Sequence, residues 1–191
     1  MTIAVLAVQG AFLEQEQTLD MLGVNYFEIR QRPDLSRPFD GLILPGGEST
    51  VQGKLLRELG LFDILKEKIE DGLPVLATCA GMILLAGALA DDSTVHFGTM
   101  PIRVRRNAYG RQLGSFHTTA NMAGIGPVPM TFIRAPYVES VDDGVDVLAR
   151  VDNRIVAVRY GRQIALSFHP ELDRKESTAI HETFLRMLVE R

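Results

Sequence analysis

Tryptophan is absent from this 191-residue chain, cysteine occurs once, and only 7% of the residues are aromatic. A lone cysteine, Cys79, cannot close an intrachain disulfide, so the fold stands on its core alone and suits a reducing compartment. No apolar run approaches the ~20 residues that a membrane-spanning helix needs. The segment Met1-Thr2-Ile3-Ala4-Val5-Leu6 lacks the basic start of a signal peptide. The cytoplasm is therefore the expected location. Basic charge is also scarce: 20 Lys and Arg against 24 Asp and Glu leave a net charge of −4. A nucleic-acid binder would show a basic stripe, whereas here the one local cluster is Arg103, Arg105, Arg106 and Arg111. Repeats, low-complexity tracts and linkers are missing too. Residues 1–191 are expected to form one domain with a full core.

What is present is a series of short apolar runs. Ile3 to Val8 is continuous, as expected of a strand covered on both faces. Residues 11–22 carry helical spacing, with Leu19 and Leu22 on one side and Glu14, Glu16 and Asp20 on the other. Val24 to Ile29, Asp40 to Leu44 and Val75 to Thr78 read as further strands, separated by helical periodicity through Leu55, Leu56, Leu59, Leu65 and Ile69. Residues 80–89 are small and apolar and predict a buried helix. Alternation of this kind predicts an α/β fold: three layers, with a mostly parallel central sheet and helices on both faces. Between residues 99 and 168 the pattern changes to short strands and many turns, which predicts an antiparallel extension. Residues 173–190 close the chain as a helix, with Ile180, Phe184 and Leu188 on one face.

Cys79 stands where a buried strand gives way to a helix, with Ala77 and Gly81 flanking at −2 and +2. A side chain on such a turn projects from the carboxyl edge of the sheet, where α/β sites lie. The helix N-terminus favours a thiolate, and the N–H of Ala80 can face an oxyanion. Taken alone, a cysteine is more often a buried hydrophobe; the elbow context reverses that weighting. Of the four histidines, His96 and His181 are expected at the surface. His117 is not excluded by pattern, and His169 is preferred because it ends a buried strand as Cys79 does. In the extended segment His169-Pro170-Glu171, residues i and i+2 point the same way, so Glu171 can accept the imidazole Nδ1 proton. Thiol, imidazole and carboxylate then make up a cysteine nucleophile system.

Leu44-Pro45-Gly46-Gly47-Glu48-Ser49-Thr50 follows the third strand. It has neither GxGxxG spacing nor a Gly-Lys-Ser/Thr ending, so no dinucleotide or nucleoside triphosphate site is expected. The two glycines let backbone approach a ligand. Ser49 and Thr50 equally suit a capping role for the next helix.

With these pieces assembled, the chain resembles the class I (triad) glutamine amidotransferases. More narrowly it resembles the glutaminase subunits of pyridoxal 5′-phosphate synthase, the PdxT family. The carriers are Val8-Gln9-Gly10-Ala11, the Gly46-Gly47-Glu48-Ser49-Thr50 loop, Thr78-Cys79-Ala80-Gly81, Arg106-Asn107, Tyr109-Gly110-Arg111-Gln112, Ile133-Arg134-Ala135-Pro136 and His169-Pro170-Glu171. The resemblance covers nearly the whole chain and implies a flavodoxin-like sheet. It implies that Cys79 is the nucleophile, His169 the acid/base and Glu171 its orienter. Gly47, Glu48, Ser49, Arg106, Ile133 and Arg134 would contact L-glutamine. Gly46, Gly47 and Ala80 would supply oxyanion N–H groups, and Gln9 would order that region when a partner docks. The implied partner is a pyridoxal 5′-phosphate synthase subunit with a (β/α)₈ barrel, and no cofactor or metal is implied. The implied classes are hydrolase and, through the synthase, lyase. The chain departs from the family pattern at Ala77, Tyr109 and His117. Alternatives are the glutaminase of another synthase, such as imidazole glycerol phosphate synthase, a cysteine hydrolase of the same fold, and a non-catalytic binding module.

Overall fold

The structure, a computed structural model, describes residues 1–106 and 114–189. The first half runs β1 (Thr2–Leu6), α1 (Phe12–Met21), β2 (Asn25–Ile29), β3 (Gly41–Leu44), α2 (Ser49–Glu58), α3 (Phe62–Glu70), β4 (Val75–Thr78) and α4 (Ala80–Leu85). The second half runs β5 (Ala86–Leu89), β6 (Met100–Arg105), β7 (Ser115–Met122), β8 (Gly126–Ile133), β9 (Tyr137–Val141), β10 (Asp146–Val151), β11 (Arg154–Tyr160), β12 (Gln163–Leu166) and α5 (Ala179–Val189).

Ten strands form one sheet in the order β2-β1-β3-β4-β12-β11-β9-β6-β5, with β10 also on β11. Pairing is parallel from β2 through to β12 and again between β5 and β6. It is antiparallel where β11 meets β9, β10 and β12, and where β6 meets β9. The continuous apolar runs are explained by burial on both faces. Ala4, Leu42, Leu44, Val75 and Ala77 pack on one side with Leu56, Leu65, Ile69 and Met82 of α2, α3 and α4. Ile3, Val5, Ile43 and Leu76 pack on the other with Leu19 of α1 and Ile180, Phe184 and Met187 of α5. This period-2 division makes the three layers expected. The pair β7–β8 forms a separate antiparallel hairpin.

Several expectations need correction. The helix read over residues 80–89 ends at Leu85, and Ala86–Leu89 turns into an edge strand parallel to β6. An apolar stretch with no polar face carries no period that separates helix from strand. Strands β7 and β9 escaped the sequence pattern because Ser115–Met122 and Tyr137–Val141 are rich in polar, half-exposed residues. The last helix begins at Ala179 rather than 173, since Glu176 and Ser177 N–H groups bond back to Asp173 O in a turn. Glu16 is buried rather than solvated, and burial together with its neighbour Glu28 raises its pKa to about 7. His96 and His181 are buried as well, His96 against Gly53 and His181 with no exposure at all.

Helix α4 touches β3 so closely that a Cβ on Gly81 would fall 2.3 Å from the Leu44 carbonyl oxygen. Gly81→Ala is expected to lower the free energy of unfolding by about 1–3 kcal/mol, as overpacking does. Urea denaturation checks this, and an unchanged midpoint would contradict so close an approach.

Candidate active site

Strands β4 and β12 are parallel neighbours, with Thr78 paired to Leu166. Their carboxyl ends therefore deliver Cys79 and, three residues beyond β12, His169 to the same edge. Cys79 adopts φ 49° and ψ −100°, a left-handed conformation that side-chain-bearing residues rarely take. Its N–H donates to Leu166 O at 2.7 Å. Ala77, the residue in place of a family glycine, is not among the described residues with positive φ, so its Cβ is tolerated.

His169 is tied down by its own N–H, which donates to Thr131 O at 2.9 Å. Its Nδ1 lies 2.7 Å from Glu171 Oε1, and Glu171 has no exposure. The imidazole also interacts with Cys79, whose Sγ lies 3.9 Å from Ile133 O. Gly46 closes over the pair: a Cβ there would fall 2.3 Å from His169 Cε1 and 3.3 Å from Cys79 Cβ. Burial pushes the His169 pKa down, but the hydrogen bonds and charges of Cys79 and Glu171 outweigh it and raise the value to about 10.

Cys79 and His169 line a cleft of about 380 Å³ together with Gly46, Gly47, Glu48, Ser49, Arg106, Ile133 and Arg134, and Glu171 lies buried behind His169. Ala80, the first residue of α4, is buried and does not line it. Gln9 stands behind the loop, where its Oε1 accepts the Glu48 N–H at 2.9 Å. The expected oxyanion N–H of Gly46 is instead donated to Thr78 Oγ1 at 3.0 Å, while Gly46 O accepts from Ala11 N–H at 2.9 Å. Ser49 is the first residue of α2, and no side-chain cap bond forms there. Gln52, buried on α2, donates to Gln9 O and Pro45 O at 2.9 and 3.2 Å. Sequence reasoning missed it, and its one signal was a polar residue on the inward face of a helix.

Two arginines face the cleft. Arg106 is ion-paired with Asp92 at 3.1 Å and Asp91 at 3.5 Å. Arg134 has φ 44° and donates its N–H to Gly114 O. Arg103 and Arg105 point elsewhere, at Glu139 of β9. Asn107, Tyr109, Gly110, Arg111 and Gln112 lie outside the described residues. His117, the other candidate base, does not line the cleft; it sits on the exposed hairpin 3.0 Å from Thr131 Oγ1 and 3.5 Å from Asp173.

A cysteine–histidine–glutamate row beside a glycine loop and two arginines is the arrangement of an amidotransferase, and a profile of the SNO glutamine amidotransferase family matches residues 5–190. The chain belongs to that family. It is 62% identical over 187 residues to the pyridoxal 5′-phosphate synthase subunit PdxT of Desulfitobacterium hafniense (strain Y51), covering 97% of this chain and 92% of that one. It is 55% identical to the subunit of the same name from Methanocorpusculum labreanum, covering 98% of each. A crystal structure of a glutamine amidotransferase superposes with a TM-score of 0.92 at 39% identity, over 98% of this chain and 99% of that one. The expected lyase class is corrected by these findings: family membership supports an amide-hydrolysing glutaminase, a hydrolase. Among the described residues no helix is long and apolar enough to cross a membrane.

A folded-state pKa above the ordinary 6.5 means that the His169 proton stabilises the native state. That stabilisation is complete below pH 6.5 and is lost as pH rises through about 10. In Glu171→Gln, the His169 titration midpoint followed by NMR should fall below that of the parent. The stability deficit of the variant should be largest at low pH and shrink towards pH 10. A midpoint that stays in place would show that Glu171 does not hold the proton.

Proposed function

We propose that this chain is the glutaminase subunit of a pyridoxal 5′-phosphate synthase. It hydrolyses L-glutamine to L-glutamate and ammonia and passes the ammonia to a synthase subunit for vitamin B6 synthesis. The observation that carries the reading is the row Cys79, His169 and Glu171, of which Cys79 and His169 line a cleft of amino-acid size. The names of the similar subunits support the choice of synthase.

In this reading the Cys79 thiolate attacks the side-chain carboxamide of glutamine. The N–H groups of Gly47 and Ala80 stabilise the oxyanion. Imidazolium His169 gives its proton to the departing nitrogen, and ammonia leaves a γ-glutamyl thioester on Cys79. Neutral His169 then takes a proton from water, which attacks the thioester and releases glutamate. Glu171 holds the imidazole in the tautomer that serves both steps. Arg106 and Arg134 receive the amino-acid carboxylate, which a guanidinium pairs bidentately. Glu48 lies opposite in charge to the ammonium group, and Gly47, Ser49 and Ile133 complete the contacts. Gln9 orders the loop when the partner docks. Residues 1–191 act as one glutaminase domain in the cytoplasm, without a cofactor, against a (β/α)₈-barrel synthase subunit. Ammonia must reach its acceptor before solvent protonates it, so turnover in the isolated chain is low.

Glutamate release, measured with and without a pyridoxal 5′-phosphate synthase subunit, tests the reading. Strong stimulation by that subunit is expected, and Cys79→Ala should abolish it, a loss of about 10³-fold or more. Activity retained in Cys79→Ala would sink the assignment. Arg134→Ala should raise KM for glutamine about tenfold, the loss of one charge-assisted contact, with a smaller effect on kcat. An unchanged KM would remove Arg134 from the substrate site.

A further inference from the structure

Behind the cleft, three polar side chains lie fully buried in one row: His181 of α5, Gln15 of α1 and Thr78 at the end of β4. None of them lines the cleft. His181 Nε2 is 2.8 Å from Gln15 Oε1, Gln15 Nε2 donates to Thr78 Oγ1 at 3.4 Å, and Gly46 N–H donates to the same oxygen at 3.0 Å. Imidazole, amide and hydroxyl are each costly to bury unless paired. An apolar set of similar volume would fill this space without that cost, and the row ends on Gly46, which packs against both Cys79 and His169.

The direction of the row is fixed by proton counting. Burial pushes the His181 pKa down to about 4, so the imidazole is neutral and carries one N–H. Nδ1 has no hydrogen-bond partner among the described residues, and the proton sits on Nε2, where an acceptor waits. Gln15 must then turn its oxygen to His181 and its NH₂ to Thr78. The Thr78 oxygen has two acceptor positions. One receives Gln15 and the other receives Gly46. On its far side Gly46 is pinned by Ala11 N–H, which donates to Gly46 O at 2.9 Å.

We infer that Gln15 and His181 are positioning residues for the oxyanion peptide: acting through Thr78 they fix Gly46, and with it the direction in which the Gly47 N–H faces the cleft. The catalytic consequence rests on the glutaminase reading above; the structural one does not. Oxyanion stabilisation depends on donors held in place before charge develops. A looser Gly46 should therefore slow the chemical step while leaving glutamine binding intact.

Two variants test this in the full chain, Gln15→Met, close in volume and without the amide, and His181→Phe. Amide hydrogen exchange followed by NMR reports on Gly46 directly. We expect Gly46 to exchange about tenfold faster or more in both variants, while Ile43 and Leu76 of the neighbouring strands keep their protection. In complex with the synthase subunit, kcat for glutamate release should fall about tenfold, less than the 10²–10³ that removal of an oxyanion donor itself costs. KM should stay within about twofold. Should His181→Phe fail to fold, Gln15→Met carries the test alone. Unchanged Gly46 exchange, loss of protection spread equally over Ile43, Leu76 and Gly46, or an unchanged kcat would each overturn the inference. If the parent complex releases no glutamate, the glutaminase reading falls, and Gly46 exchange still decides whether the row holds the peptide.

Discussion

Cys79 occupies a left-handed backbone conformation that costs of order 1–3 kcal/mol for a residue with a side chain, and the surrounding chain has to hold it there. Two contacts on opposite sides do so. The N–H of Cys79 is anchored to Leu166 O on β12, and Gly81 lets α4 lie directly on the Leu44 carbonyl of β3. Strands β3, β4 and β12 are consecutive in the sheet. The elbow is thus clamped by the strand on each side of the one that bears it. A continuous parallel centre buried on both faces supplies the rigidity that this strain requires. The antiparallel second half contributes differently. Thr131 of β8 accepts the His169 N–H, and Asp173 accepts from the Thr131 N–H and hydroxyl at 3.0 and 2.8 Å. Cys79 is placed by the parallel sheet, and His169 is placed by the hairpin that leans over it.

Electrostatics follow from the same crowding. Glu171 has no exposure, and its second oxygen, Oε2, has no hydrogen-bond partner among the described residues. A carboxylate so placed is costly unless a charge compensates it, and the nearest candidate is the proton on His169. The same imidazole also interacts with Cys79. Three titratable groups therefore share a site in which removing any one leaves another uncompensated. Arg174 braces the arrangement from outside, with Nη1 donating to Glu171 O at 2.7 Å and Nη2 donating to Gln17 on α1.

Much of this was legible in the sequence, for reasons that differ by element. The runs Ile3 to Val8, Asp40 to Leu44 and Val75 to Thr78 announced strands because a strand covered on both faces is mostly apolar. Cys79, His169 and Glu171 were legible because strand ends and the i, i+2 spacing are local properties. Ala86–Leu89 was not legible, since Ala, Gly and Leu carry no facing information. His96, His181 and Glu16 were misread for a related reason. A polar residue on a helix or in a polar loop is ordinarily solvated, and only the tertiary structure reveals that His96 packs on Gly53, that Gln15 receives His181 or that Glu28 lies beside Glu16. The pairing of Arg106 with Asp91 and Asp92 was equally hidden, because it joins the end of β6 to a loop with no periodic signal.

The glycine loop shows where the two kinds of information meet. Its two glycines announced a close approach of backbone to a ligand, and in the fold side chains from elsewhere hold the loop at Pro45, Gly46 and Glu48. Gln9 receives the Glu48 N–H, Gln52 donates to Pro45 and to the Gln9 backbone, and Thr78 receives the Gly46 N–H. Glycine is required at Gly46 by the close packing of His169 and Cys79, more than by freedom of rotation. A loop built of small residues and fixed by long polar ones can be precise while bound to those partners and mobile once they let go. Gln9 lies on the segment between β1 and α1, and Gln15 lies on α1 itself. Any force applied to α1 thus reaches the loop by two routes, one at Glu48 and one at Gly46. On the proposed glutaminase reading, that double attachment would let a partner seated on α1 tighten the loop from outside the cleft.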